Sequence, residues 1–197
     1  MKLVFATNNQ HKLHEIKQLI GSSIQLLSLA DIDCNDDIPE NQKTIEGNAS
    51  EKAFYIWNKY QINCFADDTG LEIEALNGES GVYSARYAGE EKSPEKNIEL
   101  VLQKLTKINN RKARFKTIIS LVINGEEVQF EGIVDGKILE SKRGQSGFGY
   151  DPIFQPDESS FSFAEMPLAE KNKISHRGRA TQKLVDYLNQ LIKNEQL

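Results

Sequence analysis

An α/β fold with a mixed sheet is what this sequence predicts, on three observations. Short apolar strands and amphipathic helices alternate through the first third of the chain. Two β-rich runs joined by Asn124-Gly125 then read as an antiparallel hairpin, and helical spacing returns at the end. No repeat, low-complexity block or break in composition marks a linker, so residues 1–197 read as a single domain.

The elements follow in order. Residues 2–6 form a strand ending at Thr7-Asn8-Asn9, after which Leu13, Ile16, Leu19 and Ile20 recur at helical spacing until Gly21. A second strand near Ile24–Leu29 leads into an acidic loop, Asp31 to Glu40, cut by Pro39. Ala53, Ile56, Trp57 and Tyr60 predict a helix from about Gly47 to Tyr60. Cys64–Asp67 then reads as a strand that Gly70 ends in a turn. Leu71 to Ala75 alternates with period two, as a half-buried strand does, and Asn77-Gly78 is a turn signal. Ser93 caps the next helix and Pro94 opens it, with Ile98, Val101, Leu102 and Leu105 as its buried stripe. Phe115–Ile123 and Glu127–Val134 are the arms of the hairpin. The closing helix carries Leu184, Val185, Leu188, Leu191 and Ile192 on one face and ends in a polar tail.

Composition narrows the function classes. With 24 Lys+Arg against 29 Asp+Glu the net charge is −5, which argues against a non-specific nucleic-acid coat. Cys34 and Cys64 are too few for a disulfide scaffold and lack the spacing of a zinc site, so they read as small core or loop residues. The apolar run Leu3–Ala6 is too short for a signal peptide, and no stretch is long enough to span a membrane. The expectation is a soluble cytoplasmic protein with no membrane or nucleic-acid partner.

Five segments carry possible chemistry. Thr7-Asn8-Asn9-Gln10-His11-Lys12 lies at a strand-to-helix junction, where free amides, a hydroxyl and an ammonium make either an anion site or an ordinary helix cap. Asp67-Asp68-Thr69-Gly70 places two carboxylates on opposite faces of a strand, which suits Mg²⁺ or, alternatively, a solvated turn. In the acidic loop Asp36 and Gln42 stand where an EF-hand requires glycine and glutamate, which excludes that motif and leaves Glu40 as a candidate metal ligand. Gly144–Pro152 is glycine-rich without being a dinucleotide fingerprint; Phe148 or Tyr150 offers a face to a base, or the segment is a loop with a core aromatic. Lys171–Arg179 gathers four fixed cations and His176 near the start of the last helix, a place that favours anions, and this mismatch favours ligand binding. The basic run Lys104 to Lys116 reads as solvated surface ahead of a nucleic-acid patch. With no reactive-cysteine setting and no GxSxG elbow, water is the expected attacking group.

Taken together, the motifs resemble those of the inosine triphosphate pyrophosphatase family. They are Thr7-x-Asn9-x-x-Lys12, Asn48-Ala49 with Lys52-Ala53, Ala66–Leu71, Tyr83–Tyr87, Phe148–Phe154 and Ser175–Gly178, in the family's order over almost the whole chain. Thr69 stands where many relatives have serine, which keeps the hydroxyl. The resemblance implies an elongated two-lobed α/β fold with a long mixed sheet flanked by helices, a nucleotide cleft between the lobes, and a homodimer. It implies hydrolysis of non-standard purine nucleoside triphosphates (ITP, dITP, XTP) to the monophosphate and pyrophosphate. By motif, Thr7, Asn8, Asn9, Gln10, His11, Lys12 and Lys52 would hold the triphosphate beside Thr69, and Asp68 would accept the proton. Asp68 and Glu40 would hold Mg²⁺. Phe148, Gly149, Tyr150, Asp151, Lys171, His176 and Arg177 would form the base pocket. Two other classes compete: a pyrophosphatase for modified pyrimidine nucleotides, and a non-catalytic nucleotide- or RNA-binding module.

Overall fold

A computed structural model describes residues 1–195. The elements are β1 (Lys2–Phe5), α1 (Gln10–Lys17), β2 (Gln25–Leu27), α2 (Ile45–Tyr60), β3 (Cys64–Ile73), β4 (Ser80–Gly81), α3 (Pro94–Lys104), β5 (Lys112–Ile123), β6 (Glu126–Ile138), β7 (Phe154–Pro156), α4 (Leu168–Ile174) and α5 (His176–Glu195). The strand order is β2-β1-β3-β5-β6-β7, with β4 paired to β3. Strand β1 is parallel to both β2 and β3, whereas β4 and β7 pair antiparallel, so the sheet is mixed as expected.

The chain forms two compact units, matching the two lobes expected. The first comprises residues 1–68, 117–132 and 177 onward; the second comprises 69–116 and 133–176. In the first, Phe5, Phe65, Ile119 and Leu121 pack with Leu13 and Ile16 of α1 and with Ala180, Leu184 and Leu188 of α5. Val4, Cys64, Ala66 and Val122 pack with Ala53 and Ile56 of α2. Adjacent residues of β1 and β3 thus serve different helices, the pattern of a strand buried on both faces. In the second unit, Leu71, Ile73, Ala113, Phe115, Val134 and Ile138 pack against Ile98, Val101 and Leu105 of α3 and against Tyr150, Phe154 and Phe163.

Several boundaries differ from expectation, each for a local reason. Helix α1 stops at Lys17 because its last turn tightens, with Leu19 and Ile20 amides both reaching the Ile16 carbonyl. Strand β2 is only Gln25–Leu27. Helix α2 starts at Ile45, before Gly47, because Thr44 Oγ1 caps it by accepting from the Gly47 amide at 3.0 Å. Gly70 makes no turn: β3 runs unbroken from Cys64 to Ile73, and Gly70 is buried within it. A buried strand glycine marks close approach of neighbouring backbone as readily as it marks a turn. The strand ends at Ile73, short of Ala75, where Glu74–Leu76 form a 3₁₀ turn before Asn77 and Gly78 reverse the chain with φ of 55° and 86°. Both hairpin arms are longer than predicted. Lys112 and Arg114 point outward while Ala113 and Phe115 point in, so the apparent loop is strand with a charged outer face. The polar tail ends in Gln196 and Leu197, which lie outside the described residues. No helix among the described residues is long and apolar enough to cross a membrane.

Candidate active site

Strand alternation divides the two central aspartates. Asp67 shares the face of Phe65, under α1 and α5, while Asp68 shares the face of Ala66, under α2. Both therefore sit mid-strand, not at the strand end expected.

The Asp67 carboxylate is fully buried between two cations. Its Oδ1 accepts from Lys12 Nζ at 2.9 Å and its Oδ2 from Arg177 Nε at 3.1 Å. Arg177 Nη1 also donates to Glu15 Oε2 at 2.6 Å. Burial alone would raise the Asp67 pKa, but Lys12, Arg177 and Lys52 outweigh it and hold the carboxyl well below the ordinary range. Burial pushes Lys12 down, assisted by Lys52 and Arg177 and opposed by Asp67.

Asp68 has the opposite balance. It is 8% exposed, and burial raises its pKa, with Glu40 and Asp67 adding to that and Lys52 and Lys12 opposing. Its Oδ2 accepts from Asn48 Nδ2 at 3.2 Å, and Lys52 Nζ lies 3.8 Å from Oδ1. Lys52 also reaches Glu40 Oε1 at 2.5 Å. Burial works against the Lys52 charge, yet Asp68, Glu40 and Asp67 together raise its pKa. Two neighbouring carboxyls driven in opposite directions is the signature of a site where one is a fixed charge and the other a base.

At the start of α1 the local geometry is that of a helix cap. Asn9 Oδ1 accepts from the His11 and Lys12 amides at 3.0 and 3.2 Å, and Thr7 Oγ1 accepts from the Asn9 amide. Asn8, Gln10 and His11 are exposed, and Asn8 Nδ2 donates to the Asp36 carbonyl. The cap places the Lys12 ammonium against Asp67.

The second unit holds the other candidate residues except Arg177, which belongs to the first. Asp151 Oδ2 accepts from Lys171 Nζ at 2.7 Å and from the Phe148 amide at 2.8 Å. Gly147 has φ +77°, and a Cβ there would lie 2.1 Å from Asp151 Oδ2. Only glycine fits beside that carboxylate. The Lys171 ammonium lies 5.1 Å from the Phe148 ring centre, a cation–π distance. Phe148 and Gly149 are partly exposed. Tyr150 is buried, its hydroxyl donating to the Ser84 carbonyl at 2.8 Å and its pKa pushed up to about 12 by burial. Of the two aromatics, Phe148 is the one that is partly exposed. The His176 ring stacks on Phe115 with centres 4.5 Å apart. Thr69 is partly exposed on β3.

The charge mismatch expected at the start of α5 narrows to Arg177, because Lys171 lies in the last turn of α4, and both cations have buried carboxylate partners. The basic run is likewise engaged: Lys104 pairs with Glu79 and Arg114 with Glu72, and Arg111 donates to the Leu105, Ile138 and Leu139 carbonyls.

The sequence profile of the Ham1 family matches residues 3–187. The chain belongs to the Ham1 family. It is 57% identical over 189 residues to a dITP/XTP pyrophosphatase of Christiangramia forsetii, covering 96% of this chain and 100% of that one. It is 55% identical over 188 residues to a dITP/XTP pyrophosphatase of Flavobacterium johnsoniae, covering 95% and 98%. The solved structure of the Staphylococcus aureus Ham1 protein superposes with a TM-score of 0.87 at 38% identity, over 96% of this chain and 98% of that one. The resemblance read from the motifs is thereby borne out.

Two residues of this Ham1 chain were not singled out as site residues in the sequence: Glu15 and Asn48. Glu15 lies between Leu13 and Ile16 on the buried stripe of α1 and is 4% exposed; an acid there requires a partner, which was the available signal. Asn48, 1% exposed, lies within a family motif and joins the Gln42 amide, which donates to it at 2.9 Å, to Asp68.

As for a metal, no three His, Cys, Asp or Glu side chains among the described residues are placed to hold one. The donor set suits Mg²⁺ nonetheless. Glu40 and Asp68 converge on one cation, Lys52, and Mg²⁺ is usually held by one or two carboxylates with phosphate oxygens and water completing the shell.

Proposed function

We propose that this protein is a dITP/XTP pyrophosphatase that hydrolyses ITP, dITP and XTP to the nucleoside monophosphate and pyrophosphate. The single observation that supports this most is the Asp67-Asp68 pair, one carboxylate neutralised by Lys12 and Arg177 and the other kept basic by burial. The printed names of the relatives point to the same activity.

In this reading Lys12 and Lys52, with Thr7–His11 and Thr69, hold the triphosphate. A nucleoside triphosphate carries about four negative charges, and stabilising transferring phosphoryl groups is mostly positioning and charge. Asp68 takes the proton of the attacking water; its raised pKa makes it a stronger base than an exposed aspartate. Asp68 and Glu40 would hold Mg²⁺, which supplies charge neutralisation and a more acidic water when bound. Asn48 holds Asp68 in place. For the base, Phe148 offers a stacking face, and Gly149, Tyr150, Asp151, Lys171, His176 and Arg177 are assigned from the motif match. A 6-oxo purine presents an acceptor where adenine presents a donor, so donors in the pocket favour hypoxanthine and xanthine. The protein works in the cytoplasm as a homodimer.

The test is incubation with ITP, dITP, XTP, ATP, GTP and dUTP in the presence of magnesium. Pyrophosphate from the first three, at far higher kcat/KM than from the others, is expected. Orthophosphate as the primary product, or preference for a pyrimidine, overturns the assignment.

A further inference from the structure

We infer that Glu15 is a positioning residue for triphosphate binding, acting through Arg177 and Asp67 on Lys12; this rests on the reading of Lys12 as a phosphate-binding group. Three contacts run in series within the first unit: Glu15 Oε2 to Arg177 Nη1 at 2.6 Å, Arg177 Nε to Asp67 Oδ2 at 3.1 Å, and Asp67 Oδ1 to Lys12 Nζ at 2.9 Å. Side-chain exposure is 6%, 3%, 0% and 14% from Glu15 to Lys12, so the series begins in the core and surfaces at the ammonium.

Asp67 is the pivot of this series. It spends one oxygen on each of two different cations, so its hold on Lys12 depends on how well Arg177 is satisfied elsewhere. Glu15 supplies that satisfaction. Arginine presents a rigid fork of donors that prefers to grip a carboxylate with two parallel bonds. Once the Glu15 charge is removed, Arg177 turns its fork onto both oxygens of Asp67 and draws Oδ1 away from Lys12. The lysine stem then regains rotamer freedom, and an incoming triphosphate must order it at its own cost. Glu15 and Lys12 stand three residues apart on α1, so both ends of the series are fixed to one rigid helix.

Inorganic tripolyphosphate with magnesium has neither base nor sugar and reads the phosphate end alone, as an inhibitor of dITP hydrolysis. Glu15→Gln is expected to raise its inhibition constant about tenfold, and KM for dITP alike, with kcat changed by less than about threefold. Glu15→Asp restores part of the loss. Lys12→Ala also weakens inhibition, and adding Glu15→Gln to it weakens inhibition no further, because the acid acts through the lysine. An inhibition constant unchanged in Glu15→Gln, while Lys12→Ala raises it, overturns the inference. If Lys12→Ala changes nothing, or tripolyphosphate does not inhibit the native enzyme, it is the phosphate reading that fails. Should Glu15→Gln not fold, Glu15→Asp carries the same test: its shorter arm loosens the hold on Arg177, so the inhibition constant must rise, though by less than about tenfold.

Discussion

Replacing each central aspartate by asparagine should separate stability from catalysis. Asp67 is fully buried with Lys12 at 2.9 Å and Arg177 at 3.1 Å. Asparagine fills the same space, but its amide nitrogen must face one of the two cations. Breaking a buried ion pair costs about 3–5 kcal/mol. Some is recovered here because Glu15 still serves Arg177 and Lys12 reaches water, so about 3 kcal/mol remains. For a chain of this size that lowers Tm by about 6–12 °C. The loss depends on pH with a definite sign. The folded Asp67 pKa is depressed below its ordinary 3.8, so its contribution is complete above that value and fades as pH falls further towards the folded pKa. At Asp68 the charge itself is disfavoured by burial, so Asp68→Asn should move Tm by no more than about 3 °C. Its turnover should fall roughly 100- to 10,000-fold with loss of the base. Circular dichroism melts and pyrophosphate release on the same preparations measure both. Equal Tm losses in the two variants, or an Asp67→Asn melt like the native one, would refute the division of labour.

Gly147→Ala should displace Asp151 and release Lys171, raising KM for ITP while leaving tripolyphosphate inhibition unchanged; a wild-type KM would show that the loop yields without consequence. Chelation of divalent metal should abolish turnover and added magnesium restore it, as read by pyrophosphate release. Neither buried cysteine should react with a thiol reagent at pH 8 until the protein is unfolded in denaturant. Burial pushes the Cys64 thiol from 9.0 up to about 12, so it stabilises the fold fully below pH 9 and progressively less above, by about 4 kcal/mol at most. The stability gap between the native protein and Cys64→Ala, measured by urea unfolding, should therefore shift in favour of the variant as pH rises from 9 to 11.

What was legible in the sequence was what local patterning controls. The spacing of Ile98, Val101 and Leu105, with Ser93 and Pro94 before them, reports a helix because capping and burial act within a few residues. Asn124 and Gly125 report a hairpin because both adopt positive φ. Gly70 misled because glycine is a turn residue only where the chain must turn, and β4 pairs with β3 just past it at Leu71 and Glu72. Lys112 and Arg114 hid the first three residues of β5 because charge on the solvated face of an antiparallel strand looks like loop.

The cations at the start of α5 show the deeper limit. Read locally, Arg177 is a charge at the wrong end of a helix and a ligand is the simplest remedy, whereas Lys171 lies in the last turn of α4, where a cation is favoured. In the fold the remedy for Arg177 comes from Glu15, 162 residues away, and from Asp67, 110 away. No window of sequence contains both partners. The same holds for the two aspartates, adjacent in one strand and alike in chemistry. Alternation along β3 requires that they face opposite ways, but only the helices packed on each face decide which becomes a fixed anion and which a base. On the side of α1 and α5 two cations meet Asp67. On the side of α2, Lys52 is shared between Asp68 and Glu40, leaving Asp68 under-compensated. The contrast between the two carboxylates is thus set by partners distant in the chain, and on the proposed reading the pair Asp-Asp marks the site without saying which residue acts as the base.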